Sequence, residues 1–146
     1  MNPVHLLACN ASLQVLVSSL LGTLMLIPLQ PWGKRFASQV NMKSLLATHM
    51  DWYMLAFMQF GAAFMQFGAA FIMDRWPSTA SLELAILLVF GGWTNALPYL
   101  LRGFGINAFV MGGGLLQRVC AGIAGISVIA IIVAWTVLAW QMLHLT

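Results

Sequence analysis

Four long apolar stretches alternate along the chain with short segments that hold most of its Lys and Arg residues. The pattern predicts helices over about 12–29, 44–73, 81–101 and 119–143, near the ~20 residues needed to cross the ~30 Å hydrocarbon core of a bilayer. Pro28 and Pro31 mark the end of the first helix, because proline lacks the amide N–H a helix needs. Residues 1–10 read as a short uncharged lead. Trp32 falls where an interfacial aromatic anchor belongs. Asp74, Arg75, Trp76 and Pro77 close the second helix, and Ser78 or Ser81 caps the third. The third contains Pro98. Residues 102–118 are rich in glycine and read as a loop or re-entrant segment. Trp135 and Trp140 lie near the far end of the fourth helix.

The second helix departs from a plain span. It places His49, Asp51, Gln59 and Gln66 where lipid disfavours polar groups. It also carries an identical tandem repeat, FMQFGAA, at 57–63 and 64–70. At 1.5 Å per residue, thirty residues reach roughly 45 Å, and removing one copy shortens the helix by about 10 Å. One copy therefore reads as an insertion. Seven residues turn a helix by two turns less about 20°, so the same face stays inward and Gln59 and Gln66 share a stripe.

Composition sharpens the class. The chain is 62% hydrophobic and only 6% charged, against about 25% charged in soluble domains. The expected fold is all-α, a single four-helix transmembrane domain in an antiparallel bundle. The net charge of +3 is spread over loops with no basic run, which excludes nucleic acid as a partner. Cys9 and Cys120 are too far apart in sequence for a CxxC redox or zinc motif. Leu6, Leu7, Ala8 and Cys9 look like a lipoprotein cleavage box but lack the charged and apolar regions that should precede one. Lys34, Arg35 and Lys43 fall in the first loop and Arg102 and Arg118 in the third, whereas the second has only Arg75, beside Asp74 and Glu83. The positive-inside bias places the first and third loops in the cytoplasm and both termini outside. A bacterial inner membrane is the expected location.

His49, Asn95 and Tyr99 then lie at similar depth, which allows one shared site. A neutral imidazole is a common ligand for metals and haem iron; the competing reading is a histidine bonded to a backbone carbonyl across helices. His5 and His144 sit at the chain ends and read as structural. Asp51 lies about 200° around the helix from His49, so it bonds a neighbouring helix or faces the aqueous end. Asn95 and Tyr99 are four apart and share a face. Pro98 frees the carbonyl of Thr94, and a kink there opens a cavity. A phenol beside an amide can protonate or hold a developing oxyanion; an interhelical hydrogen-bond pair is the alternative. Ala121, Gly122, Ala124, Gly125 and Ser127 read as a small-residue patch for close helix packing.

These residues resemble a known family. A four-helix membrane protein with a histidine on the second helix after a cationic loop, and Gly92-Trp93-Thr94-Asn95-Ala96-Leu97-Pro98-Tyr99 on the third, is similar to the styrene oxide isomerases. His49-Met50-Asp51 resembles the His-x-acid pattern of the related hydroxylaminobenzene mutases. The likeness is best over about 40–105. It implies that His49 is the axial ligand of haem b in a trimer, that ferric iron acts as a Lewis acid on an epoxide oxygen, and that Tyr99 stands in the active site with Asn95 on the same face. Gly91 and Leu55 depart from the aspartate and asparagine of the isomerases.

Three functions follow as expectations. The first is a membrane isomerase or mutase rearranging a small apolar, aromatic substrate without net redox change, with Tyr99, Asn95 and Asp51 catalytic. The second is a small transporter or proton-coupled channel subunit using Asp51 and His49 as a relay. The third is an accessory membrane subunit without chemistry.

Overall fold

The computed structural model describes residues 2–73 and 82–144, the side chains of 37, 64–73 and 142 excepted. Within that range every element is helical: α1 (Pro3–Leu24), α2 (Lys34–Ala37), α3 (Met42–Met73), α4 (Leu82–Thr94), α5 (Leu97–Gly103) and α6 (Leu115–Leu143), with two 3₁₀ turns between α1 and α2. Among the described residues, Pro3–Leu29, Leu82–Gly103 and Leu115–Gln141 are long and apolar enough to cross a membrane. They make this an integral membrane fold. α3 is the longest helix, at 32 residues, and its apolar run is interrupted by His49, Asp51 and Gln59.

Burial departs from that of a water-soluble bundle: beside an apolar core, several polar residues are buried and many large apolar ones are exposed. Gln14, Ser18, Thr48, Gln59 and Ser127 are buried, while Leu16, Leu20, Met54, Phe57, Ile129 and Ile132 are exposed. Such exposed apolar area has no place in a soluble monomer. In lipid it is the favourable outer surface, and polar groups must find one another inside. α1 packs along α3 and α4 along α6; α4 also touches α1 and α3, and α5 bridges α3 and α6. Leu7, Ala62, Ala63, Leu84, Leu88 and Leu138 join all four long helices in one apolar cluster.

Helix ends follow local chemistry. α1 begins nine residues before the expected start at 12, because Asn2 accepts the Val4 N–H at 2.9 Å and Pro3 opens the first turn, a preorganised start. The span expected over 81–101 is two helices. The chain turns at Asn95 and Ala96 before Pro98, which lies in the first turn of α5, as a missing N–H requires. α6 starts at 115 rather than 119, where the Gln117 side chain accepts the Gly114 N–H at 3.0 Å. α5 ends in a Schellman turn, with Ile106 N–H to Leu101 O and Gly105 N–H to Arg102 O. Gly105 takes φ +85° there, a conformation that favours glycine. Asp74, Arg75, Trp76, Pro77, Ser78 and Ser81 lie outside the described residues, as does the side chain of Gln66.

Candidate active site

α3 presents two polar faces, and each meets a different neighbour. On one, His49 lies against α1. Its Nδ1 is 2.7 Å from the Ser18 carbonyl oxygen, and the Ser18 hydroxyl donates to the His49 carbonyl at 2.7 Å. A carbonyl oxygen only accepts, so Nδ1 carries the proton and the lone pair is on Nε2. The imidazole rests on Gly22, where a Cβ would come within 2.6 Å of His49 Cε1. Tyr53, one turn along, meets the ring edge-on at 4.9 Å between centroids, and its hydroxyl is 2.5 Å from Ser19 Oγ. Sequence reading found His49 but not Ser18, Ser19, Gly22 and Tyr53. The signal was there in the small and hydroxyl residues of α1, at positions that repeat every three or four residues.

On the other face, Asp51 Oδ2 accepts a hydrogen bond from Asn95 Nδ2 at 3.0 Å. Asn95 sits at the break between α4 and α5, which turns its side chain toward α3 while its N–H still bonds Gly91 O at 3.0 Å. Behind the break lies a groove of about 330 Å³, lined by Asn95, Tyr99, Phe109, Ala121, Ala124 and Val128 among others. Phe109 packs edge-on to Tyr99 at 4.7 Å. The small residues of α6 therefore divide their work. Ala121, Ala124 and Gly125 floor the groove, where close packing was expected. Ser127 does sit at a close approach, its carbonyl oxygen 3.3 Å from where a Cβ on Gly91 would lie.

A third arrangement escaped the sequence reading. Trp93 Nε1 donates to Asn10 Oδ1 (2.9 Å), Asn10 Nδ2 to Gln59 Oε1 (2.6 Å), Gln59 Nε2 to Gln14 Oε1 (2.8 Å), and Gln14 Nε2 to the carbonyl of Gly92. The circuit returns to the residue next to where it began. Gln14 and Gln59 are 0% and 1% exposed. A Cβ at Gly92 would fall 2.3 Å from Gln59 Nε2, so glycine there admits the amides to the backbone. Gln59 stood out as a polar residue in an apolar helix. Asn10 did not, because it lay in what read as a lead ahead of α1.

The structure thus brings Asn95 to Asp51 and places Asn95 and Tyr99 on one groove. It does not bring His49 to that group: His49 faces α1 from the other side of α3. Among the described residues no cluster of three His, Cys, Asp or Glu could hold a metal ion. A single histidine with Nε2 available is instead the donor a porphyrin-bound iron takes from a protein. The fold and these groups define an all-helical membrane protein with buried polar side chains and a largely apolar groove. Comparison with known protein families, with curated proteins and with solved structures found no match.

Proposed function

We propose that the protein is an integral membrane isomerase or mutase, a four-span antiparallel bundle that rearranges a small apolar, aromatic molecule without net oxidation or reduction. The observation that carries this reading is the groove below the α4–α5 break. Its volume of about 330 Å³ lies within the range of small-molecule sites, and its few polar groups converge from one side of an apolar lining, as such sites require. An apolar substrate reaches it through the bilayer.

Tyr99 donates its phenolic proton to the substrate oxygen as a C–O or N–O bond opens. Asn95 has two N–H bonds, and Asp51 holds one of them; the second adds a donor for the same oxygen. Asp51 is thus a positioning residue. The apolar walls keep out water, which would divert an opened epoxide to a diol. The proton returns to the Tyr99 phenolate as the product forms, and the migrating group and the oxygen both stay on the substrate, so atoms balance within one molecule.

His49 would hold haem b through Nε2, because its Nδ1–H is bonded to Ser18 O. When bound, ferric haem supplies a Lewis acid for the substrate oxygen. His49 and the groove use opposite faces of α3, so they serve one substrate only when different copies of the chain provide them. A homo-oligomer, a trimer by the family resemblance, fits that need. α3 is then the fourth span, with the loops between α1 and α3 and between α5 and α6 cytoplasmic and both termini outside.

The test is the visible spectrum of the detergent-purified protein beside His49→Ala, followed by turnover of styrene oxide and of an arylhydroxylamine in proteoliposomes. A Soret band lost in the variant, with product formed by the wild type, is the expected result. Product without a Soret band would leave a haem-free mutase. Flux of a solute or of protons without conversion would replace the enzyme with a carrier.

A further inference from the structure

Next to the Tyr99 groove, two open basins occupy the basic end of the molecule. One, of about 600 Å³, is lined by Ser38, Gln39, Asn41, Arg102 and Asn107 among others. The second, of about 290 Å³, is lined by Asn41, Lys43, Ser44, Tyr99 and Arg102 among others. Asn41 and Arg102 border both, so the two form one polar surface. Neither has a carboxylate on its wall. Asp51 is engaged by Asn95, and Glu83 lies in the first turn of α4, at the other end of that helix from Asn95.

The cations are placed rather than scattered. The Arg102 guanidinium lies 5.8 Å above the Phe109 ring, which itself packs on Tyr99. Asn41 fixes the start of α3, accepting the Ser44 N–H at 3.2 Å and donating its own N–H to Gly103 O at 2.7 Å. The N-terminal turn of a long helix therefore opens on the same surface and adds partial positive charge. Exposed Phe36, Leu46, Val110 and Met111 belong to the same segments.

We propose that this surface binds the phosphate of an anionic phospholipid, with Lys43 and Arg102 as its two cationic contacts and Asn41, Ser44 and Asn107 as polar ones. A free anion is bounded by water on all sides. This one would be bounded by apolar side chains that belong in acyl chains, which selects a lipid headgroup. Basic pockets between helices at the cytoplasmic face are where anionic headgroups are recognised. The inference does not depend on turnover.

The test is lipid retention by the purified full-length protein, read by native mass spectrometry with phosphatidylglycerol against phosphatidylcholine. Wild type is compared with Lys43→Gln/Arg102→Gln and with Lys34→Gln/Arg35→Gln, which removes the same charge outside the basins. The expected result is a preference for phosphatidylglycerol of about thirtyfold from two cations, lost in the first variant and kept in the second. Thermal unfolding of both variants should match wild type, since all four side chains are exposed. Equal retention of the two lipids, or equal loss in both variants, would overturn the site. Displacement of the lipid by millimolar inorganic phosphate would show a free-anion site and overturn the lipid assignment.

Discussion

The seam between α1 and α3 and the seam between α5 and α6 solve the same problem in opposite ways. Both bury helix surface in a chain whose outside is apolar. The first is stitched by side chains: Ser18 with His49, Ser19 with Tyr53, and Asn10 and Gln14 with Gln59. Nearly every polar atom there has a partner, and the helices are held in one register. The second has small residues, a proline break and a groove. Its polar groups, Asn95 and Tyr99, keep hydrogen-bonding capacity in reserve. Satisfied polar networks rigidify, whereas an open apolar cleft with spare donors can bind and act on a guest.

This contrast can be broken by mutation. The largest effect should come from Tyr99→Phe, which removes the proton donor and leaves the ring on Phe109. Turnover in proteoliposomes is expected to fall by about 10²–10⁴-fold with the melting temperature unchanged. An equal fall in melting temperature would make Tyr99 structural. Gly92→Ala should do the reverse. A methyl group 2.3 Å from Gln59 Nε2 forces the amide circuit apart, at a cost of about 1–3 kcal/mol in a detergent unfolding titration. Gln59→Leu leaves Asn10 and Gln14 short of partners and should cost about 1–2 kcal/mol. For both variants, kcat of the protein that remains folded should stay near wild type.

Asp51→Asn joins the two regions, since Asp51 is on α3 but bonds Asn95 on the groove wall. Its hydrogen bond to Asn95 is worth about 0.6 kcal/mol to stability. Loosening a positioned donor should lower kcat about tenfold with KM nearly constant. A change in KM alone would move Asp51 from positioning to binding. The smallest effect is expected from deleting residues 64–70. Gln59 keeps its amide partners, so stability should shift by no more than about 0.5 kcal/mol. Loss of membrane expression on that deletion would refute the view that one copy of the repeat is an insertion.

Much of the fold was legible because it depends on local properties. An apolar run long enough to span is visible in the residues themselves, and so is a helix break at Pro98. The start of α1 was misplaced because the uncharged stretch before Ser12 read as a lead, although Asn2 and Pro3 carry the signal of a helix start. The site was legible in its members but not in its grouping. His49, Asn95 and Tyr99 share a depth, and depth alone placed them together. Rotation about α3 separates His49 from the other two, and only its neighbours reveal which face each uses.

By itself, then, the sequence determined the helical class, three helices long and apolar enough to cross a membrane, and the polar residues that must be accommodated inside. Hydropathy and periodicity along one helix suffice for that. Tertiary structure decided that Gln59 closes a circuit with Asn10 and Gln14, that Ser18 sets the tautomer of His49, and that the small residues of α6 floor a groove. Those pairings depend on the relative rotation and register of helices distant in sequence, which no local pattern encodes.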